Sequence, residues 1–276
     1  KLYSRVGNSM SNFTDFIGGG SASYPTIFLS KSQTWVPPQD GNICIHVIGA
    51  GGSGAGYNNT SATSGAAGGY CRKNSLAVTT SGSFTVVVGA GGASVQNSDG
   101  ITGGNTTVAG TGLSSTLTAN GGASGQENST GTTAGGTASG GDVNNTGGGG
   151  GHELGGGAVG LIGTGNAGTR LTGYLHQGGD CDVMGDLWSS SLGQIAGGRG
   201  GDGSYQGHTS GINGVNDAQP LGGGGTHRCE NALYVGTSGG HASIGGGGGT
   251  CINLGGGTYQ CSGRGGEGIV VIQYIP

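Results

Sequence analysis

The stretch that most limits what this chain can fold into is Ile43-Cys44-Ile45-His46-Val47-Ile48-Gly49-Ala50-Gly51-Gly52-Ser53-Gly54-Ala55-Gly56, where a branched, apolar segment gives way abruptly to one with almost no side chains. Its first half suits a buried or half-buried strand. Its second half cannot be an ordinary core element, because each glycine held in a regular element costs roughly 0.5–1 kcal/mol relative to alanine and offers no side chain to bury. Something other than side-chain packing must order it. The pattern recurs where Thr85-Val86-Val87-Val88 runs into Gly89-Ala90-Gly91-Gly92, and glycine runs return at 147–151, 155–157, 222–225, 245–249 and 255–257.

Gly49-x-Gly51-x-x-Gly54 directly after a strand matches the dinucleotide-binding fingerprint letter for letter. That motif needs a helix opening at the third glycine and an acidic residue about 20 positions later. Neither is present. Residues 57–65 lack apolar periodicity and helix formers, and Cys71-Arg72-Lys73-Asn74 offers no carboxylate. With 74 glycines in 276 residues, chance matches to glycine motifs are expected.

Glycine plus proline, 74 + 5 = 79 residues, falls in the range of low-complexity chains, but a net charge of only −4 and strand segments between the glycine blocks argue for a folded protein. Collagen is excluded, since no strict Gly-X-Y period runs through the chain and prolines number only 5. No amphipathic helical spacing occurs, and no apolar run approaches the roughly 20 residues that span a bilayer. The expectation is a soluble, mostly extended protein with no membrane insertion. A weakly acidic chain with 9 Lys plus Arg has no basic patch for phosphates, so nucleic acid is not an expected partner. Cys44, Cys71, Cys181, Cys229, Cys251 and Cys261 form an even set compatible with disulfides, with buried free thiols as the alternative. The start at Lys1 without Met suggests a processed product or a fragment.

In chain order, residues 1–25 read as a connecting or docking segment and 26–276 as one glycine-rich domain. Ile27-Phe28-Leu29 and Thr34-Trp35-Val36 flank a polar turn, and Pro37-Pro38-Gln39-Asp40-Gly41-Asn42 turns the chain into the strand at Ile43. Leu76-Ala77-Val78 and residues 83–88 read as a ribbon joined through Thr79-Thr80-Ser81-Gly82. Thr106-Thr107-Val108 and residues 113–118 read as a short pair, and Ile269-Val270-Val271-Ile272-Gln273-Tyr274 as the closing strand.

Five segments in this order carry a resemblance. They are Ser32-Gln33-Thr34-Trp35-Val36-Pro37-Pro38, Cys44-Ile45-His46-Val47-Ile48-Gly49-Ala50-Gly51-Gly52, Gly68-Gly69-Tyr70-Cys71-Arg72-Lys73, Thr85-Val86-Val87-Val88-Gly89-Ala90-Gly91-Gly92 and Gly265-Gly266-Glu267-Gly268-Ile269-Val270-Val271-Ile272. Together they resemble the glycine-rich domain at the ends of bacteriophage tail fibres, and a similar arrangement occurs in the ectodomain of anaplastic lymphoma kinase. The resemblance implies an all-β fold with essentially no α-helix: a small β-sandwich whose glycine-rich loops expand into a packed bundle of polyglycine-II helices. Such helices are threefold and extended with no internal hydrogen bonds, so each must bond sideways to neighbours that only glycine lets approach. Non-glycine residues are then expected at loop tips.

Tyr57, Tyr174, His176, Trp188, Tyr205, Tyr234 and Tyr259 are the candidate receptor-binding residues, since rigid aromatics on polar loops give large contact area with few torsions to freeze. Asp180, Asp182 and Asp186 could instead hydrolyse a sugar or hold calcium, but their spacing matches no calcium loop and no nucleophile elbow accompanies them. No enzyme activity, cofactor or metal is expected. The leading expectation is a non-enzymatic extracellular adhesin, the receptor-binding tip of a phage tail fibre, that recognises a host cell-surface protein or glycan. It would sit at the tail fibre tip of a virion or at a cell surface, joined to a preceding fibre or filament subunit, with homo-oligomerisation a further expectation. The alternative is a secreted, disulfide-bonded structural subunit of a surface filament or matrix. The sequons at Asn12, Asn58, Asn105, Asn128 and Asn144 point towards that alternative. A third class, a flat ice-binding glycine face, predicts thermal hysteresis.

Overall fold

The computed structural model describes residues 25–57, 61–152, 156–171, 175–177, 188–189, 194–195, 228–230, 244–253 and 261–276, and among them there is no helix. Ten strands build two facing sheets: β1 (Thr26–Leu29), β2 (Gln33–Trp35), β3 (Gly41–Ile48), β4 (Tyr70–Val78), β5 (Phe84–Val87), β6 (Thr106–Gly110), β7 (Leu117–Ala119), β8 (Ala138–Ser139), β9 (Val143–Asn145) and β10 (Ile269–Ile275). One sheet has the order β1-β10-β3-β4-β9 and the other β8-β7-β6-β5-β2, with every pairing antiparallel.

Alternation along the strands fills the space between the sheets. Ile43, Ile45 and Val47 of β3 and Val270, Ile272 and Tyr274 of β10 face Trp35, Phe84, Val86, Val108 and Leu117 from the other sheet. Trp35 and Phe84, paired across β2 and β5, have ring centroids 5.4 Å apart. The opposite face of β3 and β10 is also covered: Ile48, Ile269, Val271 and Tyr70 pack with Val159 and Leu161. Burial on both faces explains why these two strands read as continuous apolar runs while β5 alternates buried and exposed.

Segments 27–29 and 34–36, on either side of the polar turn, fall in different sheets, β1 bonding to β10 and β2 to β5. Two sequence expectations are corrected. Leu76–Val78 and Phe84–Val87 are not a ribbon. They lie in opposite sheets, so the turn at 79–82 carries the chain across the edge of the core and lets Val78, Phe84 and Val86 meet in one cluster. Finally, Cys44, Cys71 and Cys261 are free thiols rather than disulfide partners. Cys44 and Cys71 stand on adjacent strands but opposite faces: Cys71 pairs with Val47 on the core side, while Cys44 shares a face with His46. A bridge between them would have to pass through the sheet. Cys181 lies outside the described residues, and Cys229 and Cys251 are described in backbone only.

The sandwich has two poles. Thr26 lies opposite Gln273 and Asn42 opposite Ile275, so the chain enters β1 and leaves β10 at one pole. At the other pole Ile48 pairs with Tyr70, Val87 with Thr107, and Ala119 with Ala138, and from these three pairs the glycine segments leave and return.

The segment 49–56 runs out and 63–69 runs back, with amides directed in a strict rotation of three. Gly49, Gly52 and Ala55 donate to Gly69, Ala66 and Thr63; Ala50, Ser53 and Gly56 donate to Gly104, Ile101 and Ser98; Gly51 and Gly54 donate to Gly266 and Gly263. The carbonyls of this leg accept from three further segments: Ala50 and Ser53 from Gly122 and Gly125, Gly51 from Gly92, and Gly52 from Gly248. The leg therefore has six hydrogen-bonded neighbours. The return leg also has six, donating to 120–126, 148–151 and 245–248 and accepting from 49–55, Gly136 and Gly157. Successive members of each ring bond to one another as well, for example Gly103 to Gly122, Gly104 to Ala90, Gly265 to Gly92 and Gly263 to Gly249. The legs thus form two fused hexagons of extended backbone.

Such an array admits no Cβ at most glycines. One built on Gly51 would run into the carbonyl oxygen of Gly246, one on Gly121 into that of Gly103, and one on Gly156 into that of Gly247. The expectation that non-glycine residues sit only at tips is therefore too simple. Ala50, Ser53, Ala55, Ala66 and Ala67 are wholly buried within the legs. Ser and Thr hydroxyls act as extra bonding groups there: Ser53 Oγ accepts from Ile101 N at 2.8 Å, and Thr133 Oγ1 donates to Ser64 O at 2.8 Å while accepting from Gly150 N at 3.0 Å.

Candidate functional site at the far end of the bundle

The eight residues 49–56 carry the chain away from the sandwich, bonded to neighbouring legs along their length. The two neighbouring excursions turn at Asn97 and Asn128, whose φ angles are 50° and 52° and which are the non-glycine residues with positive φ among those described. Asparagine is the side chain that tolerates this left-handed region best.

The turns are held to one another by backbone bridges: Gly56 with Ser98, Gln96 with Cys261, Ala62 with Glu127, and Thr63 with His152. Side chains lock the same end. Thr63 Oγ1 accepts from Gln126 N at 2.8 Å, Ser262 Oγ accepts from Val95 N at 3.0 Å, and Thr250 Oγ1 donates to Ala55 O at 2.6 Å. Asp99 Oδ1 accepts the amide of Glu127 at 2.7 Å, which ties the turn at Asn97 to the turn at Asn128. Burial and the nearby Asp99 carboxylate push the Glu127 carboxyl above its ordinary range. The far end is thus a rigid platform bearing Gln96, Asn97, Asp99, Glu127, Asn128 and His152.

Tyr57 lies beside this platform. Its strand Gly56–Tyr57 runs parallel to Cys251–Asn253, which runs parallel to Arg228–Glu230, so Tyr57 stands opposite Ile252 and Cys229 one strand further on. His176 and Trp188 occupy two separate two-stranded ribbons, opposite Arg170 and Ile195, and neither ribbon pairs with that sheet. Tyr174, Tyr205, Tyr234 and Tyr259 lie outside the described residues, as do Asp180, Asp182 and Asp186. The platform residues were legible as turns: Asn97-Ser98-Asp99-Gly100 and Glu127-Asn128-Ser129 sit midway between glycine blocks with typical turn composition.

A second polar cluster lies at the near end, enclosed in the outer face of the first sheet. His46 Nδ1 is 2.8 Å from Tyr70 Oη, His46 Nε2 is 3.0 Å from Gln273 Oε1, and Cys44 Sγ is 3.4 Å from the same Nε2. All four residues are buried. Burial lowers the His46 pKa to about 4, against the opposing effect of the Gln273 hydrogen bond, and raises the Cys44 thiol to about 11. The cluster is enclosed in the sheet and links β3, β4 and β10.

A family model described as a glycine-rich domain matches residues 27–275. No curated protein matches the chain.

Proposed function

This chain belongs to the glycine-rich domain family, and from that premise we propose that its legs are polyglycine-II helices and that it works as a non-enzymatic adhesin, the receptor-binding tip of a phage tail fibre. The observation that carries the reading is polarity. Residues 25 and 276 lie at the sandwich pole, while the turns at Asn97 and Asn128 gather at the opposite end of a backbone-built stalk. A chain tethered at one pole presents the other to a target, and polar turns on a rigid base lose little conformational freedom on binding. The target is a cell-surface protein or glycan. Preceding fibre residues would attach at the sandwich pole.

The test is adsorption of purified protein to a panel of candidate host cells, with alanine at Tyr57, Gln96 or His152, and separately at Tyr174, Trp188 or Tyr234. A central contact removed from an interface weakens binding by about 2 kcal/mol, roughly thirtyfold. Loss of adsorption with an unchanged thermal transition supports the reading. A parent protein that adsorbs to no cell, yet polymerises through its sandwich pole, would instead make it a filament subunit.

A further inference from the structure

The buried His46 cluster joins the roots of the bundle. His46 lies on β3, three residues before the outgoing leg starts at Gly49; Tyr70 opens β4 directly after the return leg ends at Gly69; and Gln273 lies on β10, which follows the leg 263–268. One imidazole therefore ties together the three strands that anchor the outgoing leg and two of its six neighbours.

We propose that His46 is an acid-sensitive latch: protonation of its ring separates it from Tyr70 and loosens the roots of the glycine legs. In the neutral ring Nε2–H donates to the Gln273 carbonyl oxygen and Nδ1 accepts the Tyr70 hydroxyl proton. A proton added to Nδ1 forces the Tyr70 oxygen to accept instead, and the hydroxyl hydrogen loses its buried acceptor. It also creates a cation inside a sheet buried on both faces. The surroundings oppose that cation. Gln273 of β10 and the neutral thiol of Cys44 on β3 lie against the ring, Val271 stands in register with His46 and Phe28 of β1 with Val271, and Val143 of β9, Val159, Leu161 and Ile244 pack with Val271 and Tyr70 in the apolar cluster on this face. Among the described residues the charged groups on these elements are Arg72 and Lys73 of β4 and Asp142 before β9. Asp142 is held by Lys73 at 2.8 Å and by the Asn74 amide at 2.8 Å, so it is committed elsewhere, and Arg72 repels an imidazolium.

The sign follows from linkage. The folded ring takes its proton less readily than the unfolded one, so stability is complete above the unfolded value of about 6.5 and falls as the pH drops towards about 4. One proton per molecule gives an unfolding constant that rises about tenfold per pH unit across that window.

The experiment follows assigned His46 ring signals by NMR and the unfolding constant from pH 8 to 4, in the parent, in His46→Gln and in Tyr70→Phe. The parent should show the rise, with accelerated exchange at the amides of 49–56, 63–69 and 263–266 before those of β5 and β6. His46→Gln should be less stable at pH 8 but lack this contribution to the slope. Tyr70→Phe, which removes the donor to Nδ1, should move the His46 titration to higher pH. An unchanged slope in His46→Gln, or a parent ring that titrates near 6.5, overturns the latch. If His46→Gln does not fold, the parent ring titration and the direction of the Tyr70→Phe shift decide alone.

Discussion

The amide of Gly65 lies 2.8 Å from the carbonyl oxygen of Gly248, and three residues on the amide of Gly68 lies 2.9 Å from the carbonyl oxygen of Gly245. The step of three is the rule of the whole bundle. Fixing a residue's backbone costs roughly 1–2 kcal/mol, and a net hydrogen bond returns about 1 kcal/mol, so an isolated glycine hairpin of this kind would not persist. The array forms because almost every leg bonds on several sides at once and because the sandwich starts each excursion from a paired strand end.

Side-chain volume is therefore excluded where the legs meet. Valine at Gly51, Gly148 or Gly247 would collide with the carbonyl oxygens of Gly246, Asn166 and Gly65 respectively. Each should lower stability by 3 kcal/mol or more on the order-of-magnitude scale of overpacking plus orphaned hydrogen bonds. Alanine at Gly163, whose added Cβ would meet no atom within 4 Å, should stay within about 0.5 kcal/mol of the parent. Denaturant melts compare them, and equal losses at all four positions would contradict a close-packed bundle.

The period also restricts length. One glycine inserted between Gly121 and Gly122 turns every later donor of that leg by a third of a revolution, so Gly122 and Gly125 lose Ala50 and Ser53 as acceptors. Three glycines in that leg and three in 134–137 preserve the rotation. The single insertion should lower the melting temperature by many degrees and the matched triplets by few; a ranking by inserted length alone would contradict threefold bonding.

Much of the sandwich was readable because 43–48 and 269–272 are nearly continuous branched apolar runs, as strands buried on both faces are. The glycine blocks marked where the chain leaves the sandwich. What could not be read was which leg bonds to which: the pairing of Gly65 with Gly248 depends on closing two hexagons, and no side chain encodes it. Sheet assignment of Leu76–Val78 against Phe84–Val87 was equally hidden, since a turn at 79–82 suits a hairpin and a crossing alike. The cysteine count suggested bridges because spacing carries no information about faces. The emphasis on aromatics overlooked Asp99 and Asn128, whose role comes from meeting another turn.

The buried thiols give a prediction at alkaline pH. Burial raises Cys44 to about 11 and Cys71 to about 12, and pushes the Tyr70 phenol up further. Raised values mean that the unfolded chain ionises first, so their contribution is complete below pH 9 and is lost as the pH rises towards 12. Cys71→Ala should be less stable at pH 8 yet show a shallower decline between pH 9 and 12 in denaturant melts. In the native state Cys261, which is exposed, should react with a thiol reagent far faster than Cys44 or Cys71, as peptide mapping of the labelled protein reads directly. Equal labelling of all three would mean that the sheet opens readily.

Residue-resolved hydrogen exchange at neutral pH tests most directly whether a glycine-rich segment here is core. The amides of 49–55 and 63–69 should exchange as slowly as those of β3 and β10, because each is bonded to a neighbouring leg. Exchange of these amides at the rate of an open glycine loop, while β3 and β10 stay protected, would contradict a core made of backbone.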